Sequence, residues 1–257
     1  MTLPFSGKNV IVVSGGTSGK SPHIGRACAA KFAEQGAHVV SIDESADANA
    51  ETLRSIEAAG SKGTSFVVDT TDEAAMSGVA DECTRLIGVV HALVNAHMAN
   101  APGLIEHTTL SSWKRVLEKN VLGPVLSVQV FLPLLKKAGN GAVTHIGSID
   151  GLLGNPSLPA YSTSKGSLVP LTHVMANELG RYGIRVNCVA RCAVVGTNID
   201  HDALNAVTPL GRSCRLEEIA AVTAFLSSDA ASYVSGAVVP VDGGRIAITP
   251  GTFLRVQ

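Results

Sequence analysis

Short runs of apolar, mostly β-branched residues recur along this chain of 257 residues and alternate with longer segments of helical pattern. Because the runs have little polar interruption, they fit strands that helices cover on both faces, as in parallel sheets. Regular alternation of such strands with helices indicates repeated βαβ units. The pattern therefore predicts an α/β protein with a Rossmann-type doubly wound parallel sheet of about seven strands, in a single domain over residues 1–257.

Individual segments can be assigned within this pattern. The predicted strands are residues 9–14, 39–43, 64–69, 92–95, 142–148, 185–190 and 238–241. The predicted helices are residues 22–35, 46–59, 73–87, 112–137, 160–181 and 216–226. Gly36, Gly60 and Gly183 follow three of these helices, where glycine caps are expected. Pro133 is expected to end the fourth helix and Pro170 to kink the fifth, because proline removes a backbone donor.

A glycine-rich stretch directly follows the first predicted strand and precedes the first predicted helix. Gly15 and Gly19 would let the backbone approach a ligand, and Ser21 as N-cap with Pro22 after it would start the helix. Free amides and the positive end of the helix dipole would bind a pyrophosphate there, and Gly25 would let the helix pack closely on the sheet. The position of the loop therefore predicts a nucleotide site that includes a contact from Ser21.

Asp43 ends the second predicted strand, eighteen residues after Gly25. An acid at about this spacing accepts hydrogen bonds from the adenosine ribose of NAD, and its charge would repel the 2′-phosphate of NADP. Glu44 follows instead of an arginine, although Lys20 in the loop could reach a phosphate. NAD is therefore the predicted cofactor, and NADP is the less favoured alternative.

Tyr161 and Lys165 stand four residues apart, thirteen and seventeen residues after Ser148. On a helix this spacing places both side chains on one face, about one turn apart. An ammonium group beside a phenol favours the phenolate, so Tyr161 could carry a proton at neutral pH. The same spacing is common on solvated helix faces, so the pair alone does not establish a catalytic site.

Several further motifs agree in order and spacing, and together they resemble the short-chain dehydrogenase/reductase family from Lys8 to about Ala247. They are the glycine loop, Asp69-Thr70, LVN at residues 93–95, Asn120, Ser148, Tyr161-x-x-x-Lys165, VN at residues 186–187, PLGR at residues 209–212 and VDGG at residues 241–244. The resemblance implies that Tyr161 is the general acid or base and that Lys165 favours its phenolate and holds the nicotinamide ribose. It also implies that Ser148 hydrogen-bonds the substrate oxygen. Asn120 would complete the tetrad from a bent helix, holding a water that links the lysine to solvent.

By the same resemblance, the cofactor would be bound by residues at the carboxyl ends of the strands. They are Gly15, Thr17, Gly19, Ser21, Ile24, Gly25, Asp43, Asp69, Thr70, Asn95, Val194 and Thr197, together with Tyr161 and Lys165. Asp69 and Thr70 would contact the adenine, and Asn95 would line the adenosine ribose. The implied chemistry moves a hydride from a carbinol carbon to the nicotinamide while the protein removes the hydroxyl proton. No metal is expected, since the eight histidines show no convincing ligand spacing.

Three segments depart from the family pattern. The loop would need four inserted residues, 20–23, and without a gap the G-x-x-x-x-x-S of residues 15–21 resembles the loop of the divergent enoyl reductases. Residues 95–98 read N-A-H-M where N-N-A-G is expected, and Arg191-Cys192 replaces the Pro-Gly beside the nicotinamide. Enoyl-thioester reduction therefore stays an alternative, although those enzymes separate the active-site tyrosine and lysine by six residues rather than three.

The resemblance places the substrate pocket after Ser148 and after the sixth strand, where apolar residues predominate. The predicted wall comprises Leu152, Leu153, Leu158, Val195, Ile199, Leu204 and Val207, with polar contacts from His97, Asp150 and Asn155. A hydrophobic secondary alcohol or its ketone is expected, cyclic and terpenoid- or steroid-like, with a cyclic diol still open. A 3-oxoacyl-thioester substrate is the main alternative, although Ala142 and Asn177 replace arginines common in carrier-protein reductases. A dinucleotide-binding protein without turnover is disfavoured by the intact tetrad.

Composition limits the partners. A net charge of −1 without clusters of Lys and Arg gives no electrostatic surface for nucleic acid or an anionic membrane. Five cysteines without a C-x-x-C pair argue for reduced thiols rather than a disulfide framework or a zinc site. With no 18 consecutive apolar residues, a soluble, cytoplasmic protein is expected. The resemblance implies a homotetramer, with residues 112–137 and 160–181 at the dimer contact.

Overall fold

In the computed structural model, the described residues are 3–13, 23–197 and 199–247, and their strands form one sheet. The strands are β1 (Asn9–Val13), β2 (His38–Asp43), β3 (Gly63–Val67), β4 (Ala92–Asn95), β5 (Ala142–Ser148), β6 (Arg185–Arg191) and β7 (Val238–Val241). They are all parallel, in the order β3-β2-β1-β4-β5-β6-β7. The chain reverses the direction of sheet growth between β3 and β4, which opens a crevice at the carboxyl ends of β1 and β4. This order confirms the predicted doubly wound, Rossmann-type sheet.

Helices cover both faces of the sheet. They are α1 (Ile24–Glu34), α2 (Ala46–Ala58), α3 (Glu73–Leu86), α4 (Leu110–Leu117), α5 (Gly123–Ala138), α6 (Asp150–Leu153), α7 (Pro159–Gly166), α8 (Leu168–Gly180), α9 (His201–Ala206) and α10 (Leu216–Ser227). Val10 and Val12 of β1 face a core shared with α1 and α10, whereas Ile11 and Val13 face a core shared with α3, α5 and α8. The alternation follows from the two-residue repeat of a strand, and it buries both faces.

The bounds of the elements agree with the prediction to within one or two residues in most cases. Gly36 and Gly60 follow α1 and α2 with φ of 89° and 80°, as expected for glycines after helix C-caps. The first helix begins at Ile24, with His23 in the N-cap position, rather than at residue 22. The predicted cap, Ser21, lies outside the described residues together with the rest of the segment 14–22.

The two proline predictions have different outcomes. Pro133 does not end its helix, because α5 continues to Ala138 and stops at Gly139, which has φ of 71°. The buried side chains of Phe131 and Leu135 anchor this helix on the sheet on either side of the proline. At Pro170 the prediction is a local kink, and the helix predicted over residues 160–181 is interrupted three residues before the proline, at Ser167. Pro170 has no amide hydrogen to donate to the carbonyl four residues earlier.

The segment Leu110–Ala138 runs as α4, a π-helical turn at Glu118–Leu122 and α5. Among the described residues it is the one helical stretch long and apolar enough to cross a membrane, with 29 residues in total and a mean hydropathy of 1.4 over an 18-residue window. Core helices of soluble proteins pass the same test. Here the inner face of α5 packs in the core beside the sheet through Val128, Phe131 and Leu134.

Candidate active site

The end of β5 and the start of α7 bring Ser148 and Tyr161 to the same cavity, which has a volume of about 410 Å³. Tyr161 lies in the first turn of α7, which starts with Pro159 in a position that suits its fixed φ. Lys165 follows on the same helix, and all three side chains are buried. The structure therefore brings together the three residues that the sequence singled out.

Close backbone packing holds α7 in place. A Cβ atom on Gly151 of α6 would lie 2.5 Å from the amide nitrogen of Gly166 and 2.5 Å from the carbonyl carbon of Lys165. A Cβ atom on Gly166 would in turn lie 2.9 Å from the carbonyl oxygen of Gly151. The two glycines let α6 contact the backbone beside Lys165 directly.

The ammonium group of Lys165 is fixed by two backbone carbonyl groups. Its Nζ donates to the carbonyl oxygens of His97, at 2.7 Å, and of Ile146, at 2.8 Å. It lies 6.0 Å from the centre of the Tyr161 ring. Burial lowers the pKa of Lys165 to about 7, and the positive charge of Arg191 contributes to the same shift. Its protonated and neutral forms are therefore both accessible near neutral pH.

Arg191 lines the cavity and contacts Tyr161, which the sequence did not indicate. It ends β6, directly paired with Ser148 of β5, and its Nη2 donates to the hydroxyl oxygen of Tyr161 at 3.0 Å. The guanidinium also contacts the carbonyl oxygen of Cys192 at 3.2 Å and the sulfur of Met98 at 3.4 Å. The sequence shows residues 191–192 only as a departure from the family pattern. The available signal is a charged residue at the carboxyl end of an interior strand.

Asn120 lies in the π-helical turn between α4 and α5 and is fully buried. Its Oδ1 accepts from the amide of Ala99 at 2.6 Å, and its Nδ2 donates to the carbonyl oxygen of Ala99 at 2.7 Å and to Ser164 Oγ at 2.9 Å. Asn120 thus ties the segment after β4 to α7, beside Lys165. The π turn is the kind of helix distortion that the resemblance led us to expect at this asparagine.

Polar side chains at the carboxyl ends of β2, β3 and β4 fit a dinucleotide. Asp43 is buried, and its Oδ1 accepts from the amide of Ser45 at 2.8 Å. Thr70 Oγ1 and Asn95 Oδ1 are buried without a hydrogen-bond partner among the described residues. Buried polar atoms are normally satisfied, and ribose hydroxyl and adenine amino groups are donors of the required kind. Asn95 Nδ2 points inward, to His145 Nδ1 at 3.3 Å.

Asp69 is exposed at the same edge of the sheet. Its pKa is lowered, mainly because the amide and hydroxyl of Thr71 donate to the carboxylate and also because Lys119 lies nearby. Lys119 forms an ion pair with Glu44 and lies 3.7 Å from Asp69 Oδ1. Among the described residues, the carboxylates of Glu44 and Asp69 therefore outnumber the one lysine that pairs with them.

The other predicted cofactor residues are placed in part. Ile24 and Gly25 are buried at the start of α1, whereas Gly15, Thr17, Gly19 and Ser21 lie outside the described residues. Val194 is buried and forms an isolated parallel bridge with Cys214. Thr197 lines the cavity, and its hydroxyl donates to the carbonyl oxygen of Val194 at 2.7 Å.

The predicted substrate residues divide into two groups. Asp150, Leu158 and Leu204 line the cavity, as do Asn155 and Ile199. Leu152, Leu153, Val195 and Val207 are not part of this lining and are all exposed, with Leu153 the most exposed at 71%. On α6, Asp150 lines the cavity, whereas Leu152 and Leu153 do not.

The predicted substrate contact from His97 is wrong for this cavity. Its ring is buried against Gly123, where a Cβ atom would lie only 2.7 Å from His97 Cδ2. Burial holds the pKa of His97 well below its usual value, and the charges of Lys119 and Lys165 act in the same direction. The carbonyl oxygen of His97 accepts from Lys165, while its buried ring is not part of the cavity lining.

The cavity wall is more polar than the sequence suggested. Its apolar members include Met98, Ile149, Leu158, Ile199 and Leu204, and its polar members include Asn100, Asp150, Asn155, Asp200, Arg191 and Arg245. The expectation of a mostly apolar wall is therefore corrected, because charged and amide groups are interspersed with apolar residues in the described wall.

Comparisons with known proteins agree with this geometry. The family model for enoyl-(acyl carrier protein) reductase matches residues 19–245. The chain is 36% identical to cis-4-hydroxycyclohexanecarboxylate dehydrogenase of Sinomonas cyclohexanicum, over 94% of this chain and 98% of that protein. It is 30% identical to a 3-oxoacyl-[acyl-carrier-protein] reductase of Thermotoga maritima, over 92% and 97%. The crystal structure of levodione reductase superposes with a TM-score of 0.87 at 29% identity, over 95% of this chain and all of that one.

Proposed function

Because the chain belongs to the short-chain dehydrogenase/reductase family, whose members are oxidoreductases that use a nicotinamide dinucleotide, we propose that it is an NAD-dependent dehydrogenase of cyclic secondary alcohols. The observation that carries the proposal is the meeting of Ser148 and Tyr161 in one cavity, with Lys165 buried behind them. The runner-up is reduction of a 3-oxoacyl or enoyl thioester.

Each of these side chains has a distinct task in the proposed reaction. The bound dinucleotide supplies the hydride acceptor. Ser148 donates a hydrogen bond to the substrate oxygen, and Tyr161 removes the hydroxyl proton in oxidation or returns it in reduction. Lys165 can release or take up a proton at neutral pH, because burial has brought its pKa to about 7. Asn120 connects the segment after β4 to α7 through hydrogen bonds with Ala99 and Ser164.

The central test is Tyr161→Phe, which keeps the ring and removes the hydroxyl group. We expect alcohol oxidation to fall to background while the dissociation constant for NAD, measured by fluorescence titration, stays within the range of the wild type. Retained turnover would remove Tyr161 from proton transfer, and with it the proposed mechanism.

The preference for NAD rests on charge at the carboxyl end of β2. Asp43 is buried there, and Glu44 and Asp69 flank Lys119, so among the described residues a 2′-phosphate would meet more carboxylates than cations. We expect kcat/KM to be higher with NAD than with NADP, and Asp43→Asn to reduce the ratio between the two. A wild-type protein that favours NADP would contradict this assignment.

The ring-shaped substrate is supported by the mixed wall and by the substrates named for two similar proteins, a hydroxycyclohexanecarboxylate and levodione. Oxidation of cyclohexanol, borneol and a cyclic diol should be compared with reduction of acetoacetyl and crotonyl thioesters. Faster turnover of either thioester would favour the runner-up.

A ring alcohol that also bears a carboxylate is a second candidate, favoured by Arg245. Arg245 lines the cavity, and no ion pair among the described residues includes it. A guanidinium without an acidic partner suits a carboxylate ligand. Arg245→Gln should then lower the ratio of kcat/KM for cis-4-hydroxycyclohexanecarboxylate to that for cyclohexanol. An unchanged ratio would leave the neutral alcohol as the substrate.

We further propose that the protein is a cytoplasmic homotetramer. Apolar side chains are exposed on the helices expected at the dimer contact, namely Leu110 of α4, Val174 of α8 and Leu122 in the π turn. Burying such side chains favours association. Light scattering after gel filtration would give the assembly, and a monomer would contradict the proposal. Fractionation of the host cell would give the location.

A further inference from the structure

The cation that touches the hydroxyl group of Tyr161 is a guanidinium. Arg191 Nη2 lies 3.0 Å from Tyr161 Oη, a normal distance for a hydrogen bond in which the guanidinium donates. The hydrogen bonds that Lys165 Nζ makes with described residues go instead to two backbone carbonyl oxygens. Among the described residues, Arg191 therefore supplies the direct positive charge at the phenol oxygen.

The position of Arg191 is set by the sheet and by its other contacts. It is paired with Ser148 across the β5–β6 ladder, so its backbone is fixed beside the residue that is proposed to hydrogen-bond the substrate oxygen. Its Nη1 donates to the carbonyl oxygen of Cys192, which holds the guanidinium while Nη2 reaches Tyr161. No ion pair among the described residues includes Arg191, so its charge is not neutralised by a neighbouring carboxylate at contact distance.

Arginine and lysine differ in what they can supply here. The guanidinium of arginine keeps its proton at any pH at which proteins fold. Lys165 is divided between its charged and neutral forms near neutral pH, because burial lowers its pKa to about 7. A permanent charge with a hydrogen bond to the phenol oxygen would therefore stabilise the phenolate when the lysine is neutral.

We propose that Arg191 is a further catalytic residue, which stabilises the phenolate of Tyr161 as the proton acceptor in alcohol oxidation. The inference rests on the proposed dehydrogenase function. In the forward direction the alcohol proton moves to Tyr161 Oη as the hydride leaves the carbinol carbon for the dinucleotide, and Arg191 keeps all its protons. In the reverse direction Tyr161 returns that proton to the substrate oxygen.

The direct test is an ultraviolet titration of tyrosine ionisation in the wild type, Arg191→Leu and Arg191→Lys, without substrate or cofactor. Subtracting the same titration of Tyr161→Phe removes the signals of Tyr182 and Tyr233, the other two tyrosines. We expect the midpoint for Tyr161 to rise by about 1–3 pH units in Arg191→Leu, the range for loss of a nearby opposite charge. Arg191→Lys should restore much of the difference. Circular dichroism would verify that the variants fold.

A kinetic experiment tests the effect of the same charge on alcohol oxidation. The acid limb of kcat/KM for cyclohexanol oxidation should move to higher pH in Arg191→Leu, and added guanidinium should rescue Arg191→Ala at neutral pH whereas urea should not. Arg245→Leu removes the other arginine of the cavity and should move both the titration and the acid limb by less.

The outcomes separate the possible roles. An unchanged Tyr161 titration in Arg191→Leu would overturn the inference. It would also be overturned if Arg191→Leu changed only the KM for carboxylate substrates, because Arg191 would then bind substrate. Equal shifts in Arg191→Leu and Arg245→Leu would also overturn it, since the hydrogen bond would then have no special effect. The titration does not depend on turnover, so failure of this inference can be told apart from failure of the proposed function. The proposed function fails if the wild type oxidises no alcohol.

Discussion

The contact between α6 and α7 yields a quantitative prediction for Gly151→Ala. The new methyl carbon would meet the backbone of Lys165 and Gly166 at 2.5 Å, whereas ordinary contact begins at 3.4 Å. The helices must therefore separate by about 0.9 Å, or the backbone must distort, and overpacking of this kind costs about 1–3 kcal/mol.

The same displacement should affect catalysis. Lys165 belongs to the contact, and its Nζ is held by carbonyl oxygens on β5 and after β4, which do not move with α7. A shift of about 1 Å in catalytic groups can lower the rate about 100-fold. We therefore expect Gly151→Ala to lower kcat by roughly that factor and to reduce the free energy of unfolding by about 1–3 kcal/mol.

Gly78→Ala is the matched control. Gly78 lies within α3, and a Cβ atom there would meet no atom within 4 Å apart from its chain neighbours and the nearby backbone of its own helix. This substitution should stabilise the protein by up to about 1 kcal/mol, because alanine favours the helix, and leave kcat unchanged. Urea unfolding and steady-state kinetics give both quantities. If Gly151→Ala matches Gly78→Ala in stability and activity, the packing argument is refuted.

Three further predictions concern buried polar groups near the site. Burial lowers the pKa of His145 from 6.5 to about 4, so the folded state favours the neutral ring. The free energy of unfolding should therefore fall by up to about 1.4 kcal/mol per pH unit as the pH decreases from 6.5 to about 4. Urea unfolding of the wild type and His145→Gln at several pH values would measure this, and equal slopes would contradict it. Gly123→Ala should lower the melting temperature by driving a methyl group into the ring of His97, and the smaller side chain of His97→Ala should reduce that effect in the double variant; additive losses would exclude the contact. Asn120→Ala should lower both stability and kcat by releasing Ala99 and Ser164, and a change in neither quantity would show that these hydrogen bonds are dispensable.

Much of the fold follows from local patterns. The short, mostly apolar runs predicted β4, β5 and β7 with their observed bounds. β4 and β5 are buried at every position, as expected for strands covered on both faces, whereas β7 is partly exposed at the edge of the sheet. The short helices α6 and α9 were not predicted, since four and six residues carry too little periodicity to distinguish a helix from a loop. Pro133 misled for a related reason, because packing of α5 on the sheet outweighs the local cost of proline.

The site was predictable where its geometry is local. Tyr161 and Lys165 share a helix, so their spacing determines that they lie on one side. The partners of Arg191 and His97 depend on contacts distant in sequence, namely the pairing of β5 with β6 and the space beside Gly123. No periodicity in the sequence reports such contacts.

These two unpredicted positions belong to one electrostatic arrangement. The carbonyl oxygen of His97 accepts from Lys165, and Met98 contacts the guanidinium of Arg191, so the departures after β4 and β6 meet around Tyr161. Burial weakens the charge of Lys165 at neutral pH, while Arg191 keeps its own. Arg191→Pro, which restores the residue usual in the family, would remove that charge and leave the altered segment after β4 in place. It should therefore impair alcohol oxidation, most strongly at low pH, and full activity with an unchanged pH profile would show that the two departures are independent.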